Sequence, residues 1–255
     1  MSGKEGYFVT KDLTKSFGGL TAVKDLTLSV EQNKITGLIG PNGAGKTTVF
    51  NLISGYHQPT SGQIYFKGRD ITGLPTHKTV KLGMSRTFQD LRLFGGMTAL
   101  ENVLVGIQDR AGDRLLAGIV GGWKASQRTE QEIEKATELL KLVHLDGKEN
   151  ELCDNLAYGE HKLLALARVL ATGAEFVMLD EPVSGLPPGS VDEVLEVITD
   201  LVTQGKTILL VEHNMEAAMG ICDWIFVLNF GELLTSGTPD EIRKHEEVIR
   251  VYLGV

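Results

Sequence analysis

The sequence predicts an α/β fold. Its core is a largely parallel sheet, preceded by a strand-rich N-terminal part and interrupted by an inserted helical subdomain. Three observations carry this reading. In the last third, helical patterns alternate with short apolar runs: Glu160–Leu170 helix, Phe176–Leu179 strand, Pro188–Thr203 helix, Thr207–Val211 strand, Met215–Cys222 helix and Trp224–Asn229 strand. Such alternation implies βαβ units. Second, the stretch from Gly40 to Thr48 reads G-x-x-x-x-G-K-T, between a strand-like run at Lys34–Ile39 and a helix-like run at Thr48–Ile53. Third, the segment from about 91 to 170 turns helical in character. The whole chain, 1–255, is expected to form one domain around this insertion.

In chain order, Tyr7–Leu13, Leu26–Val30 and Ile35–Ile39 are β-type runs, with a Gly18-Gly19 turn between the first two. Ser61-Gly62 suggests a turn, Gln63–Phe66 a strand and Lys67–Asp70 a second turn. Pro75–Leu82 suits a short helix and Met84–Phe88 a strand. Thr98-Ala99-Leu100-Glu101 has the capping-box pattern and should open a helix through about Ile107. Ala111–Gly122 is loose and glycine-rich. Thr129–Val143 carries Ile133, Ala136, Leu139, Leu140 and Val143 at helical spacing. Pro188–Thr203 shows Val191, Val194, Leu195, Ile198, Leu201 and Val202 on one face. Helices near Pro239–Lys244 and Glu246–Tyr252 complete the chain.

Composition narrows the function. A length of 255 residues with 42% hydrophobic content is enough for a sizeable core. The net charge of −8 argues against sequence-blind nucleic-acid binding, which rests on clustered Lys and Arg. The two cysteines, Cys153 and Cys222, fit no metal or redox spacing and are expected to be idle thiols in a reducing compartment. The N-terminal residues lack the apolar core of a signal peptide. No run reaches the ~20 apolar residues of a membrane helix. A soluble, intracellular chain is therefore expected, and any membrane crossing falls to a partner.

Two stretches carry chemistry. In Gly40–Thr48 the glycines let the backbone curl until successive N–H groups face one anion, and the helix N-terminus adds partial positive charge. Lys46 is placed to reach the β- and γ-phosphates of a nucleotide, and the Thr47 hydroxyl to ligate Mg²⁺. The bland alternative is a glycine-rich turn before an ordinary helix. Phe176-Val177-Met178-Leu179-Asp180-Glu181-Pro182 is an apolar strand ending in two acids. Behind the phosphate-binding P-loop, as Gly40–Thr48 reads, Asp180 suits the Mg²⁺ environment, and Glu181 is placed to orient or deprotonate a water. Here the alternative is a strand-to-turn junction with solvated acids.

The order of these motifs resembles the ATP-binding subunit of ABC transporters over nearly the whole chain. The P-loop is followed by Arg86-Thr87-Phe88-Gln89, which looks like the Q-loop. Leu156-Ala157-Tyr158-Gly159-Glu160 stands where the family has its L-S-G-G-Q signature, before Asp180-Glu181. Val211-Glu212-His213 looks like the switch-histidine strand end. Within the family the chain looks most like the ATPases of branched-chain amino acid importers, by its Arg-Thr-Phe-Gln form, the long segment between Gln89 and Leu156, and the ending Val251-Tyr252-Leu253-Gly254.

The resemblance implies a P-loop ATPase core with a mixed sheet, an N-terminal antiparallel β-subdomain and an inserted helical subdomain. It implies ATP and Mg²⁺ as ligands. Pro41, Asn42, Gly43, Ala44, Gly45, Lys46, Thr47 and Thr48 would hold the phosphates, and Phe17 would stack on adenine; the alternative for Phe17 is a core position. Thr47, Gln89 and Asp180 would organise the metal. Glu181 would be the general base, assisted by His213. Ala157 and Gly159 would meet the γ-phosphate of a second ATPase subunit, identical or not, in a head-to-tail sandwich. Membrane-spanning permease subunits, and through them a solute-binding protein, would be partners at the cytoplasmic face of the membrane. Rival readings are the same kind of ATPase for urea import or lipopolysaccharide export, a non-transport ABC ATPase, and a non-hydrolysing nucleotide sensor.

The chain departs from the family pattern at Ala157, Tyr158 and Glu160 of the signature, and at Pro187, where the family has an Asp. Ala157 removes a hydroxyl contact to phosphate, Tyr158 stands in place of a glycine, and Glu160 brings a negative charge to the helix start. Pro187 cannot make a carboxylate contact across the dimer.

Overall fold

The computed structural model describes residues 6–87, 91–107 and 122–253. The chain starts with β1 (Phe8–Phe17) and β2 (Leu20–Val30), paired antiparallel through the expected Gly18-Gly19 turn. Both strands run longer than the apolar pattern suggests, because their turn-proximal halves carry polar residues on an exposed sheet. β3 (Ile35–Ile39) leads into the P-loop and α1 (Lys46–Ile53). β4 (Ser61–Phe66) and the short β5 (Arg69–Asp70) follow. Ser61-Gly62 and Arg69-Asp70 are thus strand residues rather than turns. Gly62 (φ +88°) is pressed against the carbonyl of Asp12, so its turn-like conformation marks a close strand crossing.

Next come α2 (Thr76–Lys81), β6 (Met84–Arg86), α3 (Ala99–Gly106) and α4 (Gly122–Leu142). The capping box forms as expected: Glu101 N–H donates to Thr98 Oγ1 at 3.2 Å, and Thr98 N–H to Glu101 Oε2 at 2.8 Å. α4 starts at Gly122, seven residues before the expected Thr129 start. Residues 111–121 of the glycine-rich segment lie outside the described residues. The chain closes with α5 (Tyr158–Ala171), β7 (Phe176–Asp180), α6 (Pro188–Thr203), β8 (Thr207–Glu212), α7 (Met215–Ile221), β9 (Trp224–Asn229), β10 (Glu232–Gly237), α8 (Pro239–Arg243) and α9 (Glu246–Leu253). β10 was not expected. Its Glu-Leu-Leu-Thr-Ser-Gly sequence lacks alternation, and it exists as an edge strand on β9.

Among the described residues the strands form two sheets. One is antiparallel, in the order β2-β1-β4-β5; the other runs β10-β9-β3-β8-β7-β6. In the second, β9, β3, β8, β7 and β6 are parallel and β10 is antiparallel, so the sheet is mixed as expected. β3, β7 and β8 are buried along their whole length, which accounts for their unbroken apolar runs. The side of the parallel sheet that carries Val177, Leu179, Ile208 and Leu210 packs on helices, α5 and α6 among them. The other side meets the antiparallel sheet and α1. Phe176 is the keystone there. It stacks on Phe8 at 5.0 Å and lies 5.9 Å from Phe66, tying the two sheets together. Helices α3, α4 and α5 form the helical region between β6 and β7.

Both cysteines are free and buried, and burial raises both thiols, Cys222 to about 12. That agrees with their expected idleness. Among the described residues no helix is long and apolar enough to cross a membrane.

Candidate functional site

Strand register brings the site together. Ile39 at the end of β3 pairs with Glu212 at the end of β8, and Asp180 at the end of β7 pairs with Val211. Three adjacent parallel strands therefore release their chains at one edge. The P-loop leaves β3, Asp180-Glu181 ends β7, and His213 follows β8. Ligands of open α/β sheets bind at this carboxyl-terminal edge.

The P-loop is a tight arch. Ala44 N–H donates to Pro41 O at 3.1 Å and Val49 N–H to Gly45 O at 3.0 Å. Gly45 has φ +99°, and a Cβ there would sit 2.6 Å from Ala22 O. Glycine is thus required both by conformation and by the close passage of β2. Gly45 caps α1 without a side-chain bond, and no acidic residue lies in the helix's first turn. The positive helix end is left for an external anion. Asn42, Gly43 and Thr47 are exposed, Pro41 and Thr48 half-buried, and Ala44 buried.

Lys46 is buried and folds back on its own loop, donating to Gly40 O at 2.7 Å and Pro41 O at 3.0 Å. Burial lowers its pKa, while Glu181, Asp180 and Glu212 pull it the other way. The ammonium thus sits in the field of the acids at the ends of β7 and β8, and it can leave its carbonyl partners for a phosphate.

Asp180 is buried, and its Oδ2 lies 2.6 Å from Arg86 Nη2. Its N–H donates to Thr87 Oγ1 at 3.1 Å. Glu181 adopts φ +49°, uncommon outside glycine. Its N–H donates to Val211 O at 2.9 Å, and its carbonyl accepts from the buried Lys162 Nζ at 3.1 Å. These two bonds hold a backbone conformation that the residue alone disfavours, a form of strain that clusters at functional sites. Glu181 Oε1 lies 3.5 Å from His213 Nδ1. Base candidate and histidine are therefore neighbours, with the ring half open to solvent.

Glu212 is fully buried. Its Oε1 accepts from Val183 N–H at 3.2 Å, and its Oε2 lies 3.5 Å from Asn214 N. Burial raises its pKa. The folded value lies above the unfolded one, so ionising Glu212 in the fold costs stability. That cost is absent below the ordinary glutamate value of 4.5 and grows as pH rises from there through the folded value. Glu212→Gln keeps an acceptor for Val183 but cannot ionise. It should be more stable than wild type at pH 7 and lose that advantage at pH 4, by urea unfolding at both. Equal differences at the two pH values would contradict this.

Phe17 is 43% exposed at the turn end of β1, edge-on to His57 at 5.4 Å, with Lys15 Nζ 4.9 Å above its ring. The core alternative for Phe17 is thereby excluded. Gln89 and the following Asp90 lie outside the described residues.

The candidate signature residues open α5. Ala157 is the N-cap of α5 in extended conformation, and Tyr158 begins the helix. Glu160 Oε2 accepts from Ala157 N–H at 2.8 Å, and its other oxygen contacts Lys148 Nζ. Burial opposes its charge, but the bonds from Lys148 and Ala157 outweigh this and hold the carboxyl below its ordinary value. The negative charge is thus committed to the helix start. Tyr158 lies over the loop after Glu181: a Cβ at Gly185 would be 3.3 Å from its ring. Gly159 faces Ser190 on α6.

The donors fit the expected ligands. Backbone amides, Lys46 and a bare helix N-terminus suit polyphosphate. A hydroxyl at Thr47 and a carboxylate at Asp180 are the hard oxygen donors that suit Mg²⁺. The "ABC transporter" family model matches residues 23–184, well over half of the chain. The chain belongs to the ABC transporter ATP-binding family. The "Branched-chain amino acid ATP-binding cassette transporter" model matches residues 232–255 of this cassette, the β10–α9 end. The chain is 44% identical over 244 residues to the high-affinity branched-chain amino acid transport ATP-binding protein BraF of Pseudomonas aeruginosa, covering 95% of each protein. It is similar to MJ1267, an ATP-binding cassette of an ABC transporter solved in its ADP conformation: TM-score 0.85, 27% identity, 98% of this chain and 99% of that one. A dimeric post-hydrolysis structure of the cassette MJ0796 bound to ADP and Pi aligns with TM-score 0.74 and 25% identity over 91% of this chain and 98% of that one. The cassette is a transport ATPase by family, and the expected α/β P-loop fold is the fold observed.

Lys162, Arg86 and Glu212 were not singled out as site residues in the sequence. Arg86 and Glu212 stand inside the quoted motifs without a role, and Lys162 reads as one more surface lysine of α5. Their burial supplies the signal.

Proposed function

We propose that this cassette binds Mg·ATP on its P-loop and hydrolyses it in a head-to-tail pair with a second cassette. The pair drives uptake of branched-chain amino acids through membrane-spanning permease subunits at the cytoplasmic face of the membrane, with a solute-binding protein delivering the cargo. The observation that carries the reading is the convergence of Lys46, Asp180, Glu181 and His213 at the ends of β3, β7 and β8.

In this reading the P-loop amides from Asn42 to Thr48, in the arch that Pro41 opens, and Lys46 hold the β- and γ-phosphates, and Phe17 stacks on adenine. Thr47, Asp180 and Gln89 hold Mg²⁺, which supplies charge neutralisation at the phosphate oxygens when bound. Glu181 takes the proton of the attacking water, and His213, 3.5 Å away, aligns the carboxylate and the phosphate. The gain comes mainly from positioning and electrostatics. Ala157 and Gly159 serve the partner cassette: at this exposed helix start the Gly159 N–H is offered to a phosphate arriving from another chain, while the Ala157 N–H holds Glu160. The donor is a backbone group, so Ala157 in place of a serine leaves it intact. Glu160 is held by Lys148 and the Ala157 N–H rather than facing the anion.

The cargo assignment rests on the likeness to BraF and on the β10–α9 match. Its test is uptake of labelled leucine by cells that lack this chain and then receive wild type or Glu181→Gln. Wild type should restore uptake and the variant should not. Full uptake without the chain would overturn the assignment.

A further inference from the structure

Asp180 is 5% exposed and Arg86 7%, and their side chains meet at 2.6 Å. A carboxylate this dry needs a cation in contact. Lys46 does not supply it, being bonded to Gly40 O and Pro41 O. Arg86 does, and it is aimed from two further sides. Its Nη1 donates to Asn51 Oδ1 at 2.6 Å, and its guanidinium lies 5.3 Å from the centre of the Phe50 ring. Asn51 stands one turn beyond Thr47 on α1, on the same helix face. The guanidinium therefore occupies the space between the helix face that bears Thr47 and the carboxylate of Asp180.

We propose that Arg86 is the counter-cation of Asp180 in the nucleotide-free cassette, and that the incoming divalent metal must compete with it for that carboxylate. The inference rests on the reading that Asp180 serves the metal. Two cations sharing one carboxylate weaken each other's hold. Arg86 thus keeps the empty site folded and dry at the expense of metal affinity. It acts through Asp180 and is a positioning residue.

The test uses Mn²⁺ in place of Mg²⁺ with the purified full chain and ADP, following free Mn²⁺ by electron paramagnetic resonance. A divalent cation meets the contacting guanidinium as a competitor for the same carboxylate oxygen, and one opposite charge in contact is worth an effect of about tenfold or more. Arg86→Gln should therefore lower the half-saturating Mn²⁺ concentration at least about tenfold. Arg86→Lys, which keeps a charge, should stay near wild type. Asn51→Ala, which removes only the anchor, should lower half-saturation less, and it carries the test if Arg86→Gln does not fold. Thermal melting supplies a second readout. Arg86→Gln should melt below wild type without metal, and the gap should narrow with saturating Mn²⁺ and ADP, because the variant binds the ligand more tightly. A purely structural arginine would leave the gap constant. Unchanged or weaker Mn²⁺ binding in both Arg86→Gln and Asn51→Ala overturns the proposal. If Asp180→Asn binds Mn²⁺ as wild type does, the metal role of Asp180 fails instead.

Discussion

Glu181→Gln is expected to bind Mg·ATP as wild type does and to release phosphate about 10²- to 10⁴-fold more slowly, the usual contribution of general base catalysis. The substitution is close to isosteric and changes little else. The backbone at residue 181 is fixed by bonds that an amide side chain leaves alone: N–H to Val211 O at 2.9 Å, and carbonyl from Lys162 Nζ at 3.1 Å. The positive φ of +49° is therefore imposed by the loop and not chosen by the side chain. Only the capacity to take a proton is lost, and the carboxylate 3.5 Å from His213 becomes an amide. Single-turnover phosphate release, with nucleotide affinity measured in parallel, checks this. Near-normal turnover would move the base elsewhere and leave Glu181 a structural role.

Phe176→Ala should cost about 3–5 kcal/mol, enough to threaten the fold. Phe176 is fully buried at the start of β7 and fills the space between the two sheets. It stacks on Phe8 of β1 at 5.0 Å with planes 16° apart, and also meets Phe66 and Tyr7. Truncation leaves a cavity bounded by two hydrogen-bonded sheets, which cannot collapse around it as a loop would. β7 also carries Asp180 at its other end, so loosening its seat should weaken the site as well as the core. Denaturant unfolding measures the loss; a cost below about 1.5 kcal/mol, the range of tolerated apolar swaps, would mean the sheets repack freely.

Much of this molecule was legible because local chemistry and global topology coincide. β3, β7 and β8 are buried on both faces, so they read as apolar runs. Each ends just before a candidate site segment, so Lys46, Asp180, Glu181 and His213 could be placed at or just after strand ends before their pairing was known. The helix at Pro188–Thr203 and the strand at Trp224–Asn229 have the expected bounds because proline, turn residues and periodicity agree there. What the sequence hid is non-local. β10 and β5 owe their pairing to a neighbouring strand rather than to their own pattern. The polar halves of β1 and β2 stay in a sheet because each pairs with the other. Arg86, Lys162 and Glu212 look like ordinary surface charges until the fold buries them. Their partners lie 94, 19 and 29 residues away, at Asp180, Glu181 and Val183. No spacing rule joins such pairs. The stretch Leu156–Glu160 reads as a motif in the sequence, and the fold places it at the start of α5.

The second cassette is the centre of the account: ATP sandwiched between one P-loop and another chain's Ala157–Gly159. Size-exclusion chromatography with light scattering on Glu181→Gln, with Mg·ATP and with Mg·ADP, tests it most directly. The account predicts a shift from monomer to dimer with ATP and none with ADP. A persistent monomer with ATP shown to be bound would contradict closure by this chain's own signature.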